Sequence, residues 1–324
     1  MSLQRTDDFN TGFLPKRKKK RFSLLKLKQE GVLHLMAAPG TVLLILFVLF
    51  PIVGIYISFA AYRPLPGTGF FDSLFQAQFV GFYYFADIFA RPDFIQVLFN
   101  TVLIAVIKII LQTVFGILLA LLLNEVMQSS LKRVYQTAYF LPFFLSWALL
   151  GTIITEMLSI DGVINSIFNT DVSFLASNKY FRSILIITDL WKNAGYQAVY
   201  FLAAITCIDS TQYEAASIDG ANKLKQCRHV TIPGIMPIII LVSVLNIGNI
   251  MNAGFEQVLV MYNPLVYATG DIIDTMAYRI GFLTPSIDQF SIGTAIGLFK
   301  SSIGCVLFVI SYLFAAKKLN YSIM

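Results

Sequence analysis

Apolar residues run almost unbroken through six stretches of the chain, at about Ala37–Ala61, Val97–Leu123, Val134–Met157, Ser183–Thr206, Ile235–Met261 and Ile292–Ala315. Each is long enough to cross a bilayer as a helix, which takes about 20 residues. Lipid offers backbone groups no hydrogen-bond partners, so runs of this kind cross as helices. The pattern predicts an all-α polytopic membrane protein with about six transmembrane helices. Pro39, Gly40, Pro51 and Gly54 in the first run and Pro142 in the third are tolerated better there than in water. The longest polar interval between two runs is Asp209–His229, and a second non-membrane loop covers Tyr262–Phe290.

Composition agrees. Of the 324 residues 57% are hydrophobic and only 13% charged, where a soluble domain carries about a quarter. The net charge of +6 is uneven, with Lys16–Arg21 forming a basic run near the N-terminus. Such a run can bind nucleic acid; directly before an apolar span it reads instead as a cytoplasmic flank. The expected organisation is a cytoplasmic basic segment over residues 1–32 and a transmembrane domain over 33–324. With the N-terminus inside, the inner segments hold about sixteen Lys and Arg and the outer loops about five. That bias predicts both termini in the cytoplasm and puts Asp209–His229 on the same side. The first residues do not read as a signal peptide. Three cysteines, none at ligand spacing, and two isolated histidines predict no metal site.

The stretch Glu214-Ala215-Ala216-Ser217-Ile218-Asp219-Gly220, followed nine residues later by Val230-Thr231-Ile232-Pro233, predicts two short helices, a glycine turn and a proline opening the next span. Glu214 is expected early in the first helix, where a carboxylate complements the dipole. Ala215 and Ala216 leave a thin face that another protein can approach. Gly220 permits a turn other residues resist, and Pro233 suits a first helical turn. The bland alternative is an alanine-rich connector.

This stretch resembles the EAA loop of ABC importer permeases, with the coupling loop at about 209–233. Phe59-Ala60-Ala61-Tyr62, Phe79-Val80-Gly81-Phe82, Asn100-Thr101 and Asp271-Ile272-Ile273-Asp274-Thr275 resemble the maltose-type sugar permeases, most of all their lipoprotein-associated polysaccharide branch. The resemblance implies a type I ABC importer transmembrane domain in a bacterial plasma membrane. It implies a second permease subunit, a cytoplasmic ATPase dimer that grips the loop, and an external solute-binding protein that delivers a sugar or oligosaccharide. Glu214 would pair with a basic residue of the ATPase, with Asp219 assisting. This chain has no G-x-x-x-x-G-K-[ST] loop, so ATP and Mg would be held by the other subunit. The chain itself would hold no cofactor and would not be an enzyme.

The fifth run carries Asn246, Asn249, Asn252 and Glu256, which on one unbroken helix share an arc of about 120°. Polar groups inside a membrane face a cavity or a partner helix. Asn246 is expected about 16 Å into the span, near the midplane where transporters bind cargo. In the fourth run Asp189 and Lys192 are spaced to pair on one helix. The resemblance implies a sugar pocket from the spans flanking the loop, with Asn193, Tyr196, Asn246 and Asn249 toward hydroxyls and Tyr196 as a stacking ring. The alternative for these residues is glue between helices. Rival functions are an ABC permease for another solute, such as amino acids, and an ion-coupled carrier.

Overall fold

The computed structural model describes residues 31–64, 67 and 69–318; the basic run Lys16–Arg21 lies outside them. Its two compact units divide at Gly54 and Ile55. The first unit holds helix α1, Gly31–Leu44, and a widened turn, Ile45–Leu49. A tighter helical stretch, Phe50–Phe59, completes a 27-residue apolar span beginning at Leu33. Only 11% of that span's most apolar window is buried.

In the second unit two long helices lie side by side, α2, Phe94–Glu125, and α5, Phe181–Thr206. They pack along their lengths. A Cβ on Gly116 would lie 2.8 Å from the Gln197 Cβ, so glycine there sets the approach. Ala120, Leu123, Ala198, Phe201, Leu202, Ile205 and Ile235 form one buried cluster. Helix α3, Ser129–Phe140, touches α5 where a Cβ on Gly195 would meet the Tyr139 carbonyl oxygen at 2.0 Å. After α4, Trp147–Met157, and α5 come two short helices, α6, Ser210–Ile218, and α7, Lys223–Gln226. Then follow α8, Ile232–Gly248, α9, Phe255–Met261, α10, Ile273–Tyr278, and α11, Gln289–Lys318. Among the described residues the only sheet pairs β1, Ala60–Ala61, antiparallel with β2, Gln78–Phe79. Ser291 stitches it to α11, its Oγ donating to Ala60 O at 2.8 Å and accepting from Tyr62 N at 3.0 Å.

The all-α polytopic fold is as the apolar pattern predicts, but two expected spans are broken. The third is not one helix over 134–157. The stretches Ser129–Phe144 and Trp147–Met157 meet at 93°. Pro142 opens the last turn before the bend, and Lys192 from α5 crosses to the freed carbonyls. Its Nζ donates to Phe143 O at 2.8 Å and Leu145 O at 2.5 Å, with Pro142 O at 3.4 Å. Ser146 caps the far side, its Oγ accepting from Leu149 N. The fifth span is not one helix over 235–261 either. It starts earlier, as 223–248 forms one helical stretch, and it ends at Gly248, with α9 beginning after a turn at Gly254, φ +97°. That turn is held by Lys108 of α2, whose Nζ donates to Ala253 O at 2.8 Å and Gln257 Oε1 at 2.5 Å. Among the described residues four helices are long and apolar enough to cross a membrane, or five with the bent pair counted as one. Helix α5 is also of spanning length at 26 residues but carries Arg182, Asp189 and Lys192.

Candidate functional site

The knob between α5 and α8 begins at Asp209, whose carboxylate caps α6 by accepting from Thr211 N at 3.0 Å. That backbone bond, then the Thr211 hydroxyl, holds the Asp209 carboxyl below the usual range. Gly220 turns the chain at φ +73°, where a side chain would be strained. Asn222 then caps α7 through Lys225 N. Cross-bonds make the knob one piece. Gln226 Nε2 donates to Ser217 Oγ at 2.8 Å and Ala221 O at 3.2 Å, and Tyr213 Oη lies 3.0 Å from Thr231 Oγ1.

One expectation changes here. Glu214 is the fifth residue of α6, past the first turn, so it does not serve the helix dipole; Asp209 is the cap. Glu214, Ala215, Asp219 and Gly220 are exposed and Ala216 half-buried. Pro233 is the second residue of α8, in its first turn. It follows a widened turn, Cys227–Thr231, inside a helical stretch that runs from Lys223 to Gly248. A proline ring clashes with the carbonyl four residues back, and the extra residue of a π-type turn relieves that clash. Two residues that sequence reasoning passed over stand out. Ile218 is 87% exposed and Leu224 77% exposed, apolar side chains in a polar interval, which was itself the signal. Beside them, Glu125, Glu214, Lys223 and Gln226 line a cleft of about 520 Å³.

The second group of residues lies where α2, α5 and the break before α9 meet. Asp189 does not pair with Lys192. Its carboxylate lies 3.5 Å from Lys108 Nζ, both side chains buried. It accepts from Gln112 and from Asn193 Nδ2, the latter at 3.2 Å. Gln257 extends the network, donating to Leu185 O at 2.9 Å and to the Thr188 hydroxyl at 2.8 Å. Lys192 serves the bend instead, one turn away. Tyr196 lies parallel to Phe143 at 4.1 Å and shares a hydroxyl hydrogen bond with Tyr200, so one ring face is taken by protein.

The asparagines of the fifth run do not share one helix face. Asn246 is on α8, Asn249 caps its end, Asn252 is in the break and Glu256 is in the first turn of α9. Asn249 donates to Leu245 O, and Asn252 Nδ2 to Asn249 Oδ1 at 3.4 Å. The Asn246 Nδ2 and Gln197 Oε1 atoms are buried with no hydrogen-bond partner among the described residues. No group of three or more His, Cys, Asp or Glu placed to hold a metal occurs among the described residues.

Residues 112–320 match the family described as binding-protein-dependent transport system inner membrane component. The chain belongs to this family. It is an ABC permease, a transport component and not an enzyme. The permease is 37% identical over 286 residues to protein LplB of Bacillus subtilis (strain 168), covering 87% of each chain. It is 34% identical over 307 residues to the polygalacturonan/rhamnogalacturonan transport system permease protein YteP of the same organism, covering 93% of each. In structure it is similar to a chain of a bacterial alginate ABC transporter in complex with an alginate pentasaccharide-bound periplasmic protein. The TM-score is 0.81 at 28% identity, over 92% of this chain and 99% of that one. The type I importer fold follows from these likenesses; in the permease the Asp209–Pro233 knob joins α5 to α8.

Proposed function

We infer that the permease is one of two membrane subunits of an ATP-driven importer for a sugar or oligosaccharide. The observation that carries this reading is the knob: a cross-bonded helical turn that exposes Ile218 and Leu224 to solvent and continues without a break into a spanning helix. Exposed apolar side chains rimmed by polar ones mark a protein contact. Their partner is a cytoplasmic ATPase dimer, which binds ATP and Mg; Glu214 lies at the rim, beside the apolar pair, and meets a basic residue there.

Both termini and the knob lie in the cytoplasm of a bacterial plasma membrane, a reading supported by the Lys and Arg bias. An external binding protein delivers cargo at the opposite end, where Phe79, Phe82 and Tyr83 are exposed. The sugar assignment is supported by the cargoes of YteP and of the alginate transporter. Asn193, Tyr196, Asn246 and Asn249 line the route, with Asn252 and Glu256 beyond them and Asp189 as the anchor of Asn193.

The test is reconstitution with the ATPase and the partner permease. Ile218→Asp is expected to lose the ATPase on purification. Glu214→Lys is expected to assemble in the membrane but to separate ATP hydrolysis from uptake. Normal uptake by both variants would remove the knob from coupling.

A further inference from the structure

Lys300 is the twelfth residue of α11, about 17 Å along it, too deep for its charge to be solvated by bulk water. Ionisable groups at such depth are costly and mark cavities or pathways. Its Nζ donates to both oxygens of Asp274, at 2.6 and 2.8 Å, and to Asn252 Oδ1 at 2.5 Å. The three residues come from three places: α11, the short helix α10, and the break between α8 and α9. The two ionic side chains are 18% and 21% exposed in the single chain. They open on a cavity of about 540 Å³, with Tyr278, Phe282 and Thr294 also on its wall. That volume is in the range of small-molecule sites, about 300–1,000 Å³.

The geometry points to this cavity as a saccharide subsite of the permease that selects uncharged sugar units; the assignment rests on the sugar-import reading above. Three features define the ligand. Asp274 holds Lys300 with both oxygens but keeps acceptor capacity on each, so it takes sugar hydroxyls as donors. Tyr278 and Phe282 stack at 5.6 Å with 29° between planes, presenting ring surface to the apolar face of a pyranose. The single cation and single anion are already matched. A sugar carboxylate would put two anions against one ammonium in a partly desolvated wall, which disfavours the charged forms. Hydroxyls meet no such cost.

The complete transporter with its binding protein, in proteoliposomes, is offered neutral tetrasaccharides from xylan, mannan and galactan together with galacturonate tetrasaccharides. Internalised glycans are identified by mass spectrometry. Neutral glycans are expected inside. Thr294→Trp, which narrows the cavity, and Tyr278→Ala, which removes a wall, are each expected to reduce their entry about tenfold, in variants that still co-purify with the ATPase. Neutral entry at the wild-type rate in both variants overturns the subsite and leaves the importer standing. Preferential entry of galacturonate overturns the charge assignment. Entry of neither class into wild-type vesicles overturns the sugar reading and the subsite with it.

Discussion

Replacing Lys108 by Met is expected to destabilise the permease by roughly 3–5 kcal/mol, the cost of stranding one partner of a buried ion pair. The side chains of Lys108 and Asp189 are 6% and 8% exposed, so water cannot take the place of the lost ammonium. Asp189 would retain Gln112 and Asn193 as donors, which keeps the cost near the lower end of that range. Ala253 O and Gln257 Oε1 would lose their donor in the same step. An unsatisfied buried group costs about 1–3 kcal/mol, and because the groups share one network these costs do not simply add. The loss corresponds to a change in the unfolding constant of roughly two to four powers of ten, at about 1.4 kcal/mol each. The assay is unfolding in mixed detergent with increasing SDS, for Lys108→Met, Asp189→Leu and the double variant. The double variant, with no charge left to strand, is expected to be more stable than Lys108→Met alone. A Lys108→Met protein that unfolds at the wild-type SDS fraction would refute the reasoning, as would a double variant whose loss equals the sum of the two single losses.

Gly195→Ala puts a Cβ 2.0 Å from the Tyr139 carbonyl oxygen. Backbone cannot yield as a flexible side chain can, so a loss of about 1–3 kcal/mol or more and a drop in membrane yield are expected, read by thermal unfolding. Burial, then the nearby Glu125 charge, pushes the Cys227 thiol up, and the thiolate is the reactive form. N-ethylmaleimide at pH 7 is therefore expected to modify exposed Cys207 before Cys227, with Glu125→Gln narrowing the gap, followed by peptide mass spectrometry; equal rates in the wild type would count against this. Asn246→Leu removes an amide nitrogen that has no hydrogen-bond partner among the described residues, so the isolated permease should be as stable as wild type or about 1 kcal/mol more so. Uptake is expected to fall, and unchanged uptake would assign Asn246 to contacts between helices.

The sequence pattern made the membrane class legible, and with it the helical knob at 209–233, because both are written in short-range signals. Spacing alone sets Glu214, Gly220 and Pro233 in register. The two broken spans were hidden for a physical reason. Apolar residues continue across 145, and across 249–254 the two asparagines stand among apolar neighbours, so hydropathy sees no long polar interruption. What stabilises each break is a lysine from a different helix, Lys192 at one and Lys108 at the other. The same long-range chemistry defeated the expected Asp189–Lys192 pair: the spacing on one helix was right, but each residue has a better partner elsewhere. The asparagine arc failed with the helix that was to carry it. Lys300 was visible as a charge in an apolar run, but nothing local announced that Asp274, 26 positions earlier in the chain, would fold back to meet it.

The widened turn at Cys227–Thr231 has a mechanical side. It lets a proline sit mid-helix without a hinge, so 223–248 forms one rod of 26 residues, about 39 Å long. A rod has no slack. If the ATPase rocks the inner end by ten degrees about its own contact point, the tip beside Asn246 and Asn249 swings by about 7 Å, more than the rise of a full helical turn. Under the coupling proposed above, nucleotide-driven motion at the membrane surface would reach the proposed route by leverage, with no chain of side-chain rearrangements in between.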